Sequence, residues 1–180
     1  MKTYVALLRG INVGGKGTLP MKELAAILES LGASGVKTYI QSGNAVFQHK
    51  PADSAQLDSK LTGAIEKARG FAPQIIVLEK EQFAKIARAN PFPEAETEPK
   101  SLHIWFLAAK ATKANVEALT NLQSKTEQFH LTSAAFYLHA PDGIGRSKLA
   151  ANVERHLGVS ATARNWRTVS TLLQMANEAG

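Results

Sequence analysis

An α+β fold made of two similar βαββαβ halves is what this sequence predicts, and three observations predict it. Short apolar runs of strand length alternate with amphipathic stretches of helical period. The order strand, helix, strand, strand, helix, strand occurs twice. A Pro-flanked acidic segment, residues 91–100, lies between the two occurrences and makes a natural linker.

The elements follow in order. Residues 3–9 are an apolar strand. Pro20 opens a helix whose apolar positions are Met21, Leu24, Ala25, Leu28 and Leu31, closed by Gly32. Val36 to Ile40 and Ala45 to Gln48 are strands around the tight turn Gln41-Ser42-Gly43-Asn44. Asp53, with Gln56 three residues on, caps a helix striped by Leu57, Leu61, Ile65 and Ala68 and ended by Gly70. Gln74 to Leu78 is the fourth strand, and a helix from Lys80 to Ala89 stops at Asn90-Pro91. The second half offers a strand at 101–108, a helix at 112–122, strands near 127–131 and 134–139, and a helix from Ser147 to Leu157 capped by Gly158. An extended piece, Val159 to Arg164, then precedes a terminal helix on Val169, Leu172, Leu173 and Ala176. This is the ferredoxin-like order, twice, with one extra helix in each half. The expected division is 1–90, linker 91–100 and 101–180.

That order has a consequence for placement. The first two strands of such a unit run parallel, so loop 9–18 and turn 41–44 fall at one sheet edge. The third and fourth strands of the second half likewise end together, which brings residues 141–148 towards 164–167.

The chain has 180 residues, 44% of them hydrophobic and 20% charged, as in ordinary soluble globular proteins. With no cysteine, disulfides, thiolate nucleophiles and zinc–cysteine sites are excluded. No apolar run approaches the ~18 residues of a membrane span, and the short run after Lys2 is broken by Arg9. A cytoplasmic location without membrane contact is the expectation. The net charge of +6 favours anionic partners and is concentrated. Glu94, Glu96 and Glu98 cluster in the linker, while Arg146, Lys148, Arg155, Arg164 and Arg167 crowd residues 141–170.

Four stretches carry chemistry. Arg9-Gly10-Ile11-Asn12-Val13-Gly14-Gly15-Lys16-Gly17 is a glycine-rich, cationic strand-to-helix connection, suited to cradle a phosphate or carboxylate. It approaches a nucleotide-binding P-loop but has Gly17 where a Mg²⁺-binding hydroxyl belongs, and Pro20 delays the helix. Gln41, Ser42 and Asn44 supply polar groups at the facing turn, although turn chemistry alone accounts for Gly43 and Asn44. Ser147 and Asn165 are helix caps flanked by Arg146, Lys148, Arg164 and Arg167. Cations at a helix's positive end are disfavoured by roughly 0.3–1 kcal/mol, so an anion there would complete the arrangement. Candidate ligand-binding residues are therefore Arg9, Gly10, Asn12, Gly14, Gly15, Lys16, Gln41, Ser42, Asn44, Arg146, Ser147, Lys148, Arg164, Asn165 and Arg167.

Other signals are weaker. The histidines lack metal-ligand spacing, and no base is placed beside Ser42 or Ser147. An RNA-recognition sheet would display aromatics on its third strand, which here reads Ser42-Gly43-Asn44-Ala45-Val46-Phe47. Trp105 belongs to the core, and Trp166 either stacks on a base or pins the last helix. Nothing specifies a cofactor, a metal or an oligomeric state.

Leu7–Gly15, Tyr39–Asn44, Gly145–Lys148 and Arg164–Trp166 together resemble, in register, a bacterial family catalogued as domain of unknown function sixteen-ninety-seven. The resemblance implies two ferredoxin-like halves and brings no established activity, so it carries over no catalytic residue. The expectation is thus a small phosphorylated or carboxylated ligand held by basic loops. The alternatives are a nucleic-acid-binding module, or an interaction protein with a basic face. Whether the chain is an enzyme stays open; its cations suit stabilising a developing negative charge better than nucleophilic attack.

Overall fold

The computed structural model describes residues 1–180. It contains eight strands and six α-helices in two four-stranded antiparallel sheets, the α+β arrangement of duplicated ferredoxin-like halves that the sequence order predicts. Two compact units result, Met1–Lys85 with Thr171–Gly180, and Ile86–Ser170.

In the first unit, β1 (Lys2–Arg9), β2 (Ser34–Tyr39), β3 (Asn44–His49) and β4 (Gln74–Glu79) lie in the order β2-β3-β1-β4. β1 pairs antiparallel with both neighbours, Tyr4 facing Phe47 and Leu8 facing Ile75. One face of the sheet packs on α1 (Met21–Ser30) and α2 (Ser54–Arg69). Leu24, Leu28, Leu57, Leu61 and Ile65 meet Tyr4, Ala6, Leu8, Phe47 and Val77 there. The helical spacing of these leucines is what puts them on one stripe. Val5, Leu7, Val46 and Ile76, on the other face, are buried as well, which explains why β1 is apolar without alternation. Asp53 caps α2 by accepting from the N–H of Ala55, and Gly70 closes it in the left-handed conformation. Thr171–Gly180 return to this sheet, where Gln48 donates to the carbonyl of Ala179. The expected division had left the terminal helix with the second half.

In the second unit, β5 (Leu102–Leu107), β6 (Gln128–Leu131), β7 (Ala135–His139) and β8 (Ala161–Asn165) take the order β6-β7-β5-β8. One face carries Trp105, Leu107, Phe136 and Leu138 and is covered by α4 (Val116–Leu122) and α5 (Lys148–Leu157) through Leu119, Leu149, Val153 and Leu157. α4 starts at Val116, four residues later than its expected start, because Asn115 is the cap and accepts from the N–H of Ala118. His103 is buried beside Trp105, and its Nδ1 has no partner. Burial alone pulls the ring's pKa down to about 4, so it is neutral near pH 7. The acidic stretch after α3 (Lys80–Arg88) is not extended: Pro93–Thr97 form a 3₁₀ helix, with Asn90 accepting from the N–H of Phe92 and donating to Glu96. The final helix, α6 (Trp166–Glu178), follows β8 directly.

Candidate functional site

Loop 10–20 of the first unit is a small hairpin rather than an open cradle. The N–H of Asn12 donates to Gly17 and that of Lys16 to Val13, so the segment folds back through Gly14 and Gly15. Both glycines have positive φ, 58° and 73°, the pattern of a type I′ turn that other residues adopt at a cost. Buried Ile11 and Leu19 anchor its base, and Val13 stands out at the tip, 67% exposed.

Asn12 spends its side chain within the protein. Its Nδ2 donates to the carbonyls of Leu19 and Gln41, each at 2.9 Å, and its Oδ1 accepts from the N–H of Leu19 at 2.8 Å. One amide therefore closes the hairpin and ties it to the β2–β3 turn, as the parallel course of β1 and β2 requires. Asn44 is fully buried and donates to the carbonyl of Tyr39 and the hydroxyl of Ser42. Gly43 has no room for a side chain, since a Cβ there would lie 2.7 Å from both Leu8 Cβ and Ile11 Cδ1. Ile40, a β-branched residue at φ 49° and 49% exposed, shows backbone strain at this turn. Arg9 is exposed and donates to Gln74 on β4. Lys16, Gln41 and Ser42 face solvent, and the ammonium of Lys16 is unpaired.

The second unit presents an open cleft of about 580 Å³. One wall runs from the end of α4, at Asn121, to Glu127; the other is the loop from Asp142 into the first turn of α5. Ser147 caps α5 by accepting from the N–H of Ala150 at 2.9 Å. Arg146 and Lys148 flank that cap, both exposed, and neither side chain makes a hydrogen bond or ion pair. A neighbouring cleft of about 410 Å³ shares Gly143 and is lined by Lys100, Ser101, Pro141 and Arg167. The ends of β7 and β8 thus do come together, and Arg167 meets Pro141 and Gly143 there.

The four cations of this region occupy different places. Arg146 and Lys148 share the larger cleft, and Arg167 belongs to the smaller. Arg164 pairs in register with Ile104, on the sheet face opposite the one that carries Trp105, α4 and α5. Burial draws its guanidinium pKa down to about 10. Asn165 is a cap, accepting from the N–H of Thr168 at 3.0 Å. Strand parity could have separated Arg164 from the others, because alternate residues of β8 face opposite ways.

Sequence reasoning passed over Glu127. It is only 6% exposed, lines the larger cleft, and accepts from the N–H of Ser124 at 2.9 Å. No periodic pattern marks it; the sole hint is the polar run Ser124-Lys125-Thr126-Glu127 after a helix end. No group of three or more His, Asp or Glu side chains is placed to hold a metal ion, and no helix is long and apolar enough to cross a membrane.

The sequence profile of the family described as "Protein of unknown function (DUF1697)" matches residues 1–137. The chain belongs to that family. The matched stretch includes Leu7–Gly15 and Tyr39–Asn44, while Gly145–Lys148 and Arg164–Trp166 lie beyond it. Among solved structures, the conserved bacterial protein SP0830 from Streptococcus pneumoniae is similar at 25% identity and a TM-score of 0.71. The similarity covers 97% of this chain and 98% of that one. No curated protein matches.

Proposed function

We propose that this family member binds a small phosphorylated or carboxylated ligand in the larger cleft of its second unit, in a cytoplasmic setting that suits its lack of cysteine. Arg146 and Lys148 hold the anion, aided by the positive end of α5. One observation carries the reading. Two cations stand side by side at the end of a helix that repels them, in a cleft of about 580 Å³, and neither has a partner. Arg167, in the adjoining cleft, reaches a larger ligand extending past Gly143.

Loop 10–17 is the weaker candidate. Asn12 and Asn44 are committed to internal hydrogen bonds, and Arg9 is engaged with Gln74, which leaves Lys16 and the glycine N–H groups on a projecting turn.

Thermal unfolding in rising inorganic phosphate, at constant ionic strength, tests the proposal. A saturable rise in Tm that disappears in Arg146→Ala and survives in Lys16→Ala is the expected result. The opposite pattern would move the site to the first unit. Absence of any saturable rise, with oligonucleotide binding that weakens steeply in salt, would replace the reading by nucleic-acid binding.

A further inference from the structure

The cleft that carries Arg146 and Lys148 also carries Glu127 and Asp142. Four charged side chains, two of each sign, line one open space, yet neither cation is paired with either carboxylate. Here Glu127 stands on the wall opposite the cations, and Asp142, on their own wall, is drawn across to the other. Asp142 accepts from the hydroxyl of Thr126 at 2.7 Å, which bridges the two loops. Glu127 is fixed by the Ser124 N–H through Oε2, and the turn is closed by Gln123 donating to the Glu127 carbonyl.

Glu127 is the informative member. A carboxylate buried to this degree normally finds a partner, protein or water, for each oxygen. Its Oε1 has no protein partner and is not sealed from solvent, in a residue that lines the cleft. An acceptor fixed in this way, across from two unpaired cations, complements a ligand with charges of both signs.

We infer that the cleft recognises a zwitterionic small molecule, whose anionic end meets Arg146 and Lys148 and whose primary ammonium donates to Glu127 Oε1. This rests on the anion-binding reading above and adds the second half of the ligand. A simple anion would meet repulsion from Glu127 and Asp142, whereas an ammonium on the same molecule turns the repulsion from Glu127 into an attraction.

Isothermal titration with two isosteric probes, O-phosphoethanolamine and n-propyl phosphate, tests it. The two differ by an ammonium in place of a methyl group. The wild-type chain is expected to bind O-phosphoethanolamine about tenfold more tightly, as one charge-assisted hydrogen bond provides. Glu127→Gln, which keeps an acceptor for the Ser124 N–H, should bring the ratio near one while leaving the propyl phosphate affinity unchanged or improved. Equal binding of the two probes by the wild-type chain overturns the inference, a comparison that depends on no variant. A ratio that persists in a folded Glu127→Gln protein overturns it too. If both probes bind equally and Arg146→Ala weakens both, the inference falls and the anion reading stands. If neither binds saturably, both fall.

Discussion

The first unit's glycine-rich hairpin and the second unit's loop into α5 look alike in composition, yet they use their polar groups in opposite ways. In the first, Asn12 makes three hydrogen bonds inside the protein and Asn44 is buried in the turn it stabilises. In the second, only Ser147 is spent on capping, and Arg146 and Lys148 keep their donors for solvent. Glycine-rich, basic sequence therefore marks two different things here: a chain reversal with demanding backbone angles, and a surface left unfinished. The difference lies in hydrogen-bond bookkeeping, which composition does not reveal.

The comparison can be broken, and the largest effect comes first. Gly43→Ala forces a Cβ into Leu8 and Ile11 at a φ of 86°. Overpacking and backbone strain together should cost about 2–4 kcal/mol in denaturant unfolding. A cost under about 1 kcal/mol would show that the turn yields, and that the first unit is less tightly built than its hydrogen bonds imply.

The second unit has a weak point of another kind in His103. Its folded pKa of about 4 lies below the unfolded value near 6.5, so the native chain binds fewer protons in that interval. Stability should be full above about pH 6.5 and fall as pH drops towards 4, by up to about 3 kcal/mol. His103→Leu should remove that fall, so the wild-type-minus-variant difference in urea midpoints should itself decline from pH 6.5 towards 4; a difference that stays flat would place the acid sensitivity elsewhere.

Asn12→Ala strips the buried Leu19 N–H of its acceptor and unties the hairpin from Gln41, for an expected loss of about 2 kcal/mol. Phosphate-dependent stabilisation should survive this substitution, because Asn12 only holds the loop's shape. Smallest of all, Arg146→Ala should shift stability without ligand by less than about 0.5 kcal/mol while abolishing the phosphate response. A large intrinsic loss would mean that Arg146 is structural and would erase the contrast between the two loops.

Much of this architecture was legible in sequence because it is written in local signals. The strand–helix order, the Asp53 and Ser147 caps and the meeting of loop 9–18 with turn 41–44 follow from periodicity, capping chemistry and strand direction. α4 begins four residues late because Thr112 and Asn115 both look like starts, and the amide is the one that caps. The site was less legible. Asn12 among glycines suits a ligand and a chain reversal equally well, and only its three partners decide. Glu127 announces nothing in sequence, since its importance comes from α4 and the β7–α5 loop converging on it.

The hydrogen bond from Thr126 to Asp142 has a further consequence, in entropy. Together with the Ser124 N–H on Glu127, it fixes the two carboxylates, one on each wall, before any ligand arrives, so contacts to them lose little side-chain freedom. The two cations are different, because ordering each long side chain costs about 0.5–1.5 kcal/mol on binding. On the proposed reading, Arg146 and Lys148 would follow anions of varied size. The rigid carboxylates tolerate little variation in what is brought to them. On that reading, attraction would fall to the mobile cations and discrimination to the fixed carboxylates of one cleft.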